Sequence, residues 1–493
     1  MSSKTVLSVD LGAESGRVMA VKFNGRSLQQ EELHRFPNTT VTINGTLYWD
    51  FLRLWRDIQI GIEKGKALNP AGIGVDTWGL DFGLLDKQGN LIGNPVHYRD
   101  SRTDDMMAHV FDIVPRAEIF AQTGIQFMQI NTLYQLMSLV ANHSPQLDIA
   151  DTLLMAPDLL NYWLTGRKVS ELSIASTSQM YNPQTGGWAT DLLNKLNIPT
   201  HILPEIVPSG TPLGEYDGIP VIASAGHDTA SAVAAVPAAA VPTNSPHFAY
   251  LSSGTWSLFG LELPHPVMSD AALSANVTNE GGVYGTVRLL KNLMGLWLLQ
   301  QSRVTWAARN ESFSYAELVE MAQKAQPFRS FINVNDPLFI KHGDMPSRVQ
   351  SFCKQTGQPV PQEKGAIVRT ILESLALGYR DTLAQITAVS NQQVNVIHIV
   401  GGGTQNKLLN QMTANATGLP VITGPIEATV IGNAIVQLIT LGEIADLEQG
   451  RAIVANMDEL ERYEPQGTTG SQTAVWDDAY GRYQRQSLQK DNL

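Results

Sequence analysis

The sequence predicts an α/β protein of two domains, and three observations carry that prediction. The chain has 493 residues, more than one hydrophobic core usually supports. It opens on TVLSVDLGAESGRVMAV, residues 5–21, where two β-branched apolar runs flank a turn of small residues. The same design returns at FAYLSSGTWSLFGLEL, residues 248–263, just beyond the Pro- and Ala-rich stretch 236–246. A linker is expected there, dividing the chain into domains 1–240 and 241–493 that face each other across a cleft.

Composition narrows the class. With 43% hydrophobic and 16% charged residues the chain is a well-packed globular protein. A net charge of −12 argues against nucleic acid or an anionic membrane as partner, because both call for clustered Lys and Arg. The single cysteine, Cys353, excludes a disulfide within the chain and suits a reducing cytosol. No histidine-bearing motif accompanies it, so an inert buried thiol is expected rather than a nucleophile. The N-terminus has no basic region followed by an apolar one, so no signal peptide is evident and a cytoplasmic location is expected. The long uncharged run 229–261 is interrupted by Pro237, Pro242 and Pro246 and is not a membrane span.

In the opening hairpin, Gly12, Ala13, Ser15 and Gly16 leave room for an anion to approach backbone N–H groups. Asp10, at the end of the first strand, is placed to hold a cation or its water, and Arg17 can offer phosphate oxygens a fork of donors. Neither G-x-x-x-x-G-K-[ST] nor G-x-G-x-x-G occurs in the chain. By itself the stretch fits an ordinary tight turn equally well.

A helix over 55–68 ends at Asn69 and Pro70, and Ile73 to Asp76 is a short buried strand. It runs into VDTWGLDFGLLD, which gathers Asp76, Trp78 and Asp81. Carboxylates accept hydroxyl protons and an indole face covers C–H surface, as a polyhydroxylated ligand requires; a hairpin with polar turn residues reads the same way. His97, Tyr98, Arg99, Asp100 and Arg102 suit either a capped helix start or sugar contacts. Residues 124–138 pass from loop into helix, 156–166 form a helix stopped by Gly166, Trp188 packs, and 207–218 is a surface connection rich in Pro and Gly.

Val221 to Ala225 is a strand, followed by Gly226, His227, Asp228 and an Ala-rich helix. Asp at or next to an N-cap often only satisfies free N–H groups. Facing a cleft it can also accept a hydroxyl proton, and the helix terminus is expected to hold it ionised. In the second half, 289–302 reads as an apolar helix carrying Asn292 and Gln300, and 366–383 has helical spacing. Val396 to Val400 is a strand running into Gly401, Gly402 and Gly403, then a helix closed by Gly418. Three glycines there let backbone approach a planar or anionic ligand. A strand at 421–422, the helix ATVIGNAIVQLI and a surface helix around 476–485 complete the chain.

Taken in order, VDLGAESGR at 9–17, GVDTWGLDFGLLD at 74–86, YRDSRT at 98–103, TGIQF with NTLYQL at 123–136, GHDTASAV at 226–233, YLSSGTWSL at 250–258, NVTNEGG with LLKNLMGLWLLQ at 276–300 and HIVGGGTQNKLLNQ at 398–411 resemble the FGGY family of carbohydrate kinases. The resemblance implies two actin-like (ribonuclease H-like) α/β ATPase domains flanking a central cleft. The N-terminal domain would carry the sugar and the catalytic aspartate, the C-terminal domain the nucleotide. It implies transfer of the γ-phosphoryl of ATP to the 1-hydroxyl of a ketose, L-rhamnulose, with Mg²⁺ as cofactor. Asp228 would be the catalytic base, with Gly79, His227 and Thr229 against the sugar beside Trp78 and Asp81. Ala13, Glu14, Ser15, Gly16, Arg17 and Thr255 would line the ATP phosphates, and Asn292, Gln300 and Gly401 to Gly403 would complete the nucleotide and substrate pocket. Asp10 would serve Mg²⁺ through water. Glu14 departs from the small polar residue expected there and must point outward or toward the metal.

Kinases of another ketose, such as L-fuculose or D-xylulose, would keep the phosphate turns and Asp228 and differ around Trp78, Asp81 and 98–135. A non-catalytic sugar sensor on the same fold would usually carry an added DNA-binding module, and a dinucleotide-dependent dehydrogenase lacks its glycine fingerprint here. Halves joined at 236–247 are expected to close on ligand and exclude water. Small-angle scattering should report a more compact particle once sugar and nucleotide are added; an unchanged profile would contradict closure.

Overall fold

Two mixed sheets organise the structure, a computed structural model that describes residues 3–238, 248–457, 459–466 and 471–488. The expected linker falls mainly on 239–247, outside the described residues. The backbone packs as two units, each gathered from three segments. One is Met1–Val241, Glu262–Leu290 and Glu427–Asp458; the other is Pro242–Leu261, Lys291–Ile426 and Glu459–Leu493.

In the first unit, β1 (Lys4–Leu11) and β2 (Ser15–Phe23) form the hairpin read from the sequence, with Asp10 opposite Arg17 and Leu11 opposite Gly16. β3 (Leu28–Pro37) continues the antiparallel run, while β4 (Ile73–Thr77) lies parallel to β1 on its other side. β5 (Thr211–Tyr216) and β6 (Ile219–Ala223) complete the order β5-β6-β4-β1-β2-β3. Val6, Leu7, Val9 and Leu11 are fully buried, the unbroken apolar run of a central strand covered on both faces. β5 occupies part of the stretch expected as a surface connection. Its Pro and Gly are tolerated because the strand is at the edge and its register shifts between Pro212 and Gly214.

The first helix runs Phe51–Lys66, earlier than 55–68, because the Asp50 carboxylate accepts from Arg53 N at 3.3 Å and caps it. Helix Ala428–Thr440 returns to this unit from far along the chain. Ser8 Oγ donates to Val430 O at 3.1 Å, Gln437 Nε2 to Leu7 O at 3.0 Å, and Asn433 Nδ2 to Asp76 Oδ2 at 2.5 Å. It packs against helix Asp228–Ala234 at Gly432, where an added Cβ would sit 1.7 Å from Ser231 O.

In the second unit the hairpin of Phe248–Ser253 and Trp256–Leu263 repeats the pattern, continued on the Phe248–Ser253 side by parallel strands Val396–Val400 and Val421–Thr423 and then by antiparallel Glu461–Tyr463. The expected helix over 289–302 is instead two elements. Strand Val287–Met294 carries Asn292, and helix Trp297–Ala307 carries Gln300. Leu289 and Leu290 pair with Asn279 and Thr278, and Gly295 separates the two elements. Among the described residues no helix is long and apolar enough to cross a membrane.

Trp78 and Asp81, read from the sequence as sugar contacts, are spent inside the first unit. Asp81 Oδ2 accepts the indole N–H of Trp49 at 2.5 Å and of Trp78 at 2.8 Å, and Oδ1 accepts from Gln135 Nε2 at 3.2 Å. The two indoles pack 4.2 Å apart, with His97 stacked on Trp49. With three donors on it and no exposed surface, that carboxylate is committed to the protein interior. The 98–103 stretch resolves as a capped 3₁₀ start, with Asp100 Oδ1 accepting from Arg102 N at 2.9 Å.

Two outcomes follow from this packing. Gly432→Val drives a branched side chain into the Ser231 carbonyl and should lower unfolding stability by about 1–3 kcal/mol or prevent folding, as overpacked contacts do. A wild-type denaturation midpoint would show that the helices can move apart. Burial pushes Asp81 from 3.8 to about 6 against the pull of its indole, amide and Arg102 partners. The folded state therefore favours the neutral acid, so this contribution is present below about pH 4 and is lost as pH rises to about 6. Asp81→Asn should gain on the wild type by up to roughly 3 kcal/mol between pH 4 and 7 in urea unfolding. Parallel profiles would mean that Asp81 does not titrate there.

Candidate active site

Parallel register brings strand ends together in the first unit. β1 and β4 align Asp10 with Asp76 and Leu11 with Thr77, and Thr77 in turn bridges His227 beyond the end of β6. Three carboxylates, Asp10, Asp76 and Asp228, thus feel one another's charge. Burial first and the charge of Asp10 next push Asp76 well above the usual carboxylate range, against its hydrogen bond from Asn433. Asp76 Oδ1 has no hydrogen-bond partner among the described residues.

The Gly12–Ser15 turn closes through Gly12 N donating to Ser15 O at 3.0 Å. Asn38 braces it, donating from Nδ2 to Gly12 O at 2.9 Å and from N to Glu14 O at 3.0 Å. The Glu14 side chain is exposed, which meets the outward orientation its charge requires. Arg17 differs from the sequence reading. Its Nε and Nη2 both donate to Asp10 Oδ2, at 2.9 and 2.7 Å, and its Nη1 lies 2.5 Å from Glu427 Oε2. The fork meant for phosphate is held by two carboxylates. Glu427 lies more than 400 positions away in sequence, so no local pattern could pair it with Arg17.

The turn after β6 is fastened from below. Thr77 N donates to Gly226 O at 2.9 Å, Gly226 N donates to Glu171 Oε2 at 2.9 Å, and His227 N donates to Ser173 Oγ at 3.1 Å. His227 becomes the N-cap residue of helix Asp228–Ala234 and Asp228 its first residue. Thr229 Oγ1 donates to Asp228 Oδ1 at 3.1 Å, and His227 Nε2 stands 3.4 Å from the same oxygen. The Asp228 side chain keeps 30% of its surface exposed. Its carboxyl is pushed up, not held low. Burial dominates, His227 opposes it, and Asp10 adds to it. A seven-residue helix does not offset that desolvation. Gly79 completes the group, since a Cβ there would lie 3.4 Å from both His227 Nε2 and Thr177 Oγ1. The structure therefore brings together Asp10, Asp228, His227, Thr229 and Gly79, and turns the side chains of neighbouring Trp78 and of Asp81 toward Trp49.

In the second unit, helix Trp297–Ala307 begins against the second hairpin turn. Leu296 N donates to Gly254 O at 3.0 Å, and Gly295 N and Trp297 N donate to Thr255 O at 3.2 and 3.1 Å. Gln300 lies one turn into that helix, its buried Oε1 lacking a hydrogen-bond partner among the described residues. The three glycines approach the same turn. Gly401 has φ +86°, and a Cβ on Gly403 would meet Ser253 Oγ at 2.0 Å, whereas Gly402 faces open space. Thr255, Gln300 and 401–403 are thus neighbours of one turn, while Asn292 sits on the preceding strand. Small residues, an unfilled approach and an orphaned amide oxygen fit a nucleotide. For a metal, no group of three His, Cys, Asp or Glu side chains is assembled among the described residues. One or two carboxylates with water and phosphate completing the shell is the habit of Mg²⁺, and Asp10 with the under-satisfied Asp76 fits it. Cys353 is wholly buried, and burial pushes its thiol up to about 11, so it is no nucleophile.

Residues 5–234 match the model of the FGGY family of carbohydrate kinases, N-terminal domain, and 249–441 that of its C-terminal domain. The chain is 44% identical over 487 residues to a rhamnulokinase of Bacteroides thetaiotaomicron, covering 96% of this chain and 97% of the relative. It is 38% identical over 468 residues to a rhamnulokinase of Oceanobacillus iheyensis, covering 93% and 97%. Among solved structures, the ligand-bound xylulose kinase of Lactobacillus acidophilus superposes with a TM-score of 0.79 at 16% identity, covering 98% of this chain and 97% of that one. The Plasmodium falciparum glycerol kinase with ADP gives 0.76 at 16% identity, covering 98% of each. At those identities the superpositions speak for the fold alone, and the fold is actin-like.

Proposed function

The chain belongs to the FGGY family of carbohydrate kinases, and on that premise we propose that it transfers the γ-phosphoryl of ATP to the 1-hydroxyl of L-rhamnulose, giving L-rhamnulose 1-phosphate and ADP. It is a sugar kinase that uses ATP, and two relatives matched over nearly their whole length carry the name rhamnulokinase. The observation that carries the catalytic assignment is the partly buried Asp228 carboxylate beside His227 and Gly79 at the converging ends of β1, β4 and β6.

Asp228 accepts the proton of the sugar 1-hydroxyl as the oxygen bonds to phosphorus and the bond to the departing ADP oxygen breaks. Phosphoryl transfer passes through a loose transition state, so the proton moves late and alignment matters more than base strength. Thr229 fixes one Asp228 oxygen, leaving the other for the hydroxyl. Gly79 leaves space beside His227 for the ring, and His227 Nε2 faces that space. In the first unit the backbone N–H groups of Ala13 to Gly16 suit phosphate oxygens; in the second, the Thr255 turn does likewise, with Gln300, Asn292 and Gly401 to Gly403 offering nucleotide and substrate contacts. Arg17 works indirectly, keeping Asp10 oriented through its paired donors. A Mg²⁺ bound through Asp10 and water would supply charge neutralisation at the phosphates. The single buried cysteine suits catalysis in a reducing cytoplasm.

Asp228→Asn should lower kcat about 10²- to 10⁴-fold while KM for sugar stays within a few-fold. The acid limb of kcat/KM should lie above the ordinary aspartate value of about 3.9, because Asp228 is pushed up and must be ionised to act. A coupled ADP assay across L-rhamnulose, L-fuculose and D-xylulose should favour the first. Preference for another ketose would reassign the substrate, and ATP turnover indifferent to sugar would overturn the kinase reading.

A further inference from the structure

We infer that Arg288, with Glu280, is a positioning residue that holds His227 in the tautomer whose proton is on Nε2, so that this N–H is presented to Asp228 and the sugar. The inference rests on the reading of Asp228 and His227 given above and extends it to two residues that touch neither substrate.

Arg288 and Glu280 are cross-strand partners, directly opposite in the pairing of Thr278–Gly281 with Val287–Met294. Arg288 is completely buried, and its Nε donates to Gly281 O at 3.0 Å. Its Nη2 lies 3.1 Å from His227 Nδ1, as a hydrogen bond, and 3.2 Å from Glu280 Oε2, as an ion pair. A guanidinium has donors only and keeps its charge, so it can face Nδ1 favourably only when that nitrogen offers a lone pair. The imidazole proton is then on Nε2. The opposite tautomer would point one N–H at another across 3.1 Å. Glu280 Oε2, 3.2 Å from Nη2, gives the buried guanidinium its counter-charge; the same oxygen stands 3.3 Å from Nδ1, but the hydrogen bond at that nitrogen is the one with Nη2. From there Nε2 reaches 3.4 Å to Asp228 Oδ1 and 3.4 Å to the space above Gly79. The supporting strand is anchored independently, by Gly281 N donating to Ser176 Oγ at 2.7 Å and Asn279 Nδ2 to Gly124 O at 3.0 Å. A buried ion pair is a poor source of stability compared with apolar residues of similar volume, so its orientation of His227 is the more specific role.

The test is a double-mutant cycle read in kcat and KM for L-rhamnulose. Arg288→Met should lower kcat/KM about 10- to 100-fold, the usual cost of losing a residue that orients a histidine, with Arg288→Lys recovering part of it. His227→Gln places an amide N–H near Nε2 and has no tautomer to set. In that background Arg288→Met should change kcat/KM less than about threefold. Should Arg288→Met fold poorly because Glu280 is stranded, Glu280→Gln with Arg288→Met removes both charges and should show the same kinetic loss at a wild-type denaturation midpoint. Wild-type kinetics in either Met variant, or losses that multiply in full with His227→Gln, would overturn the inference. Undiminished turnover by Asp228→Asn would instead overturn the underlying assignment of the base.

Discussion

The constraint on which the first unit depends is the parallel alignment of β1 with β4, which sets Asp10 beside Asp76 at the same level of the sheet. Two carboxylates on neighbouring strands, both buried, cannot be left to water. Each needs a partner delivered in fixed geometry. Arg17 reaches Asp10 from the next strand, and Asn433 reaches Asp76 from a helix on the sheet face. Glu427 engages Arg17 from just before that same helix, so one element serves both carboxylates. The cost of concentrating negative charge is visible in Asp76 and Asp228, each pushed toward its neutral form chiefly by burial.

The same tension suits a kinase. Carboxylates that repel one another are relieved by a cation, and a base whose neutral form is favoured accepts a proton readily. Around them the protein places small or neutral groups, Gly79, Thr229 and the Gly12–Ser15 turn, which admit a ligand without adding to the repulsion.

Much of this was legible in the sequence. Both hairpins, the strand before Gly401 and the Gly226-His227-Asp228 turn stand where alternation and glycine placement put them, because each is specified locally. What was not legible depends on partners distant in sequence. Apolar spacing made 289–302 look helical, yet Leu289 and Leu290 find a strand to pair with and become one. Trp78 and Asp81 resemble a sugar platform until Trp49 and Gln135 arrive to use up the carboxylate. Arg17 reads as a phosphate ligand until Glu427 is seen, and nothing in NVTNEGG announces that Glu280 and Arg288 meet His227. Nor does an apolar helix at 428–440 state which sheet it will cover.

That last placement has a consequence for biogenesis. The opening hairpin leaves the ribosome first, but the helix that covers it and supplies Asn433 is made more than 400 residues later. At bacterial or eukaryotic elongation rates of about 5–20 residues per second, the nascent β1 and β4 wait on the order of 20–80 s with an uncovered apolar face. Throughout that interval Asp76 lacks its amide, so the unit cannot mature before synthesis has passed residue 440, and nascent chains stopped short of it present a sticky, unfinished sheet to chaperones.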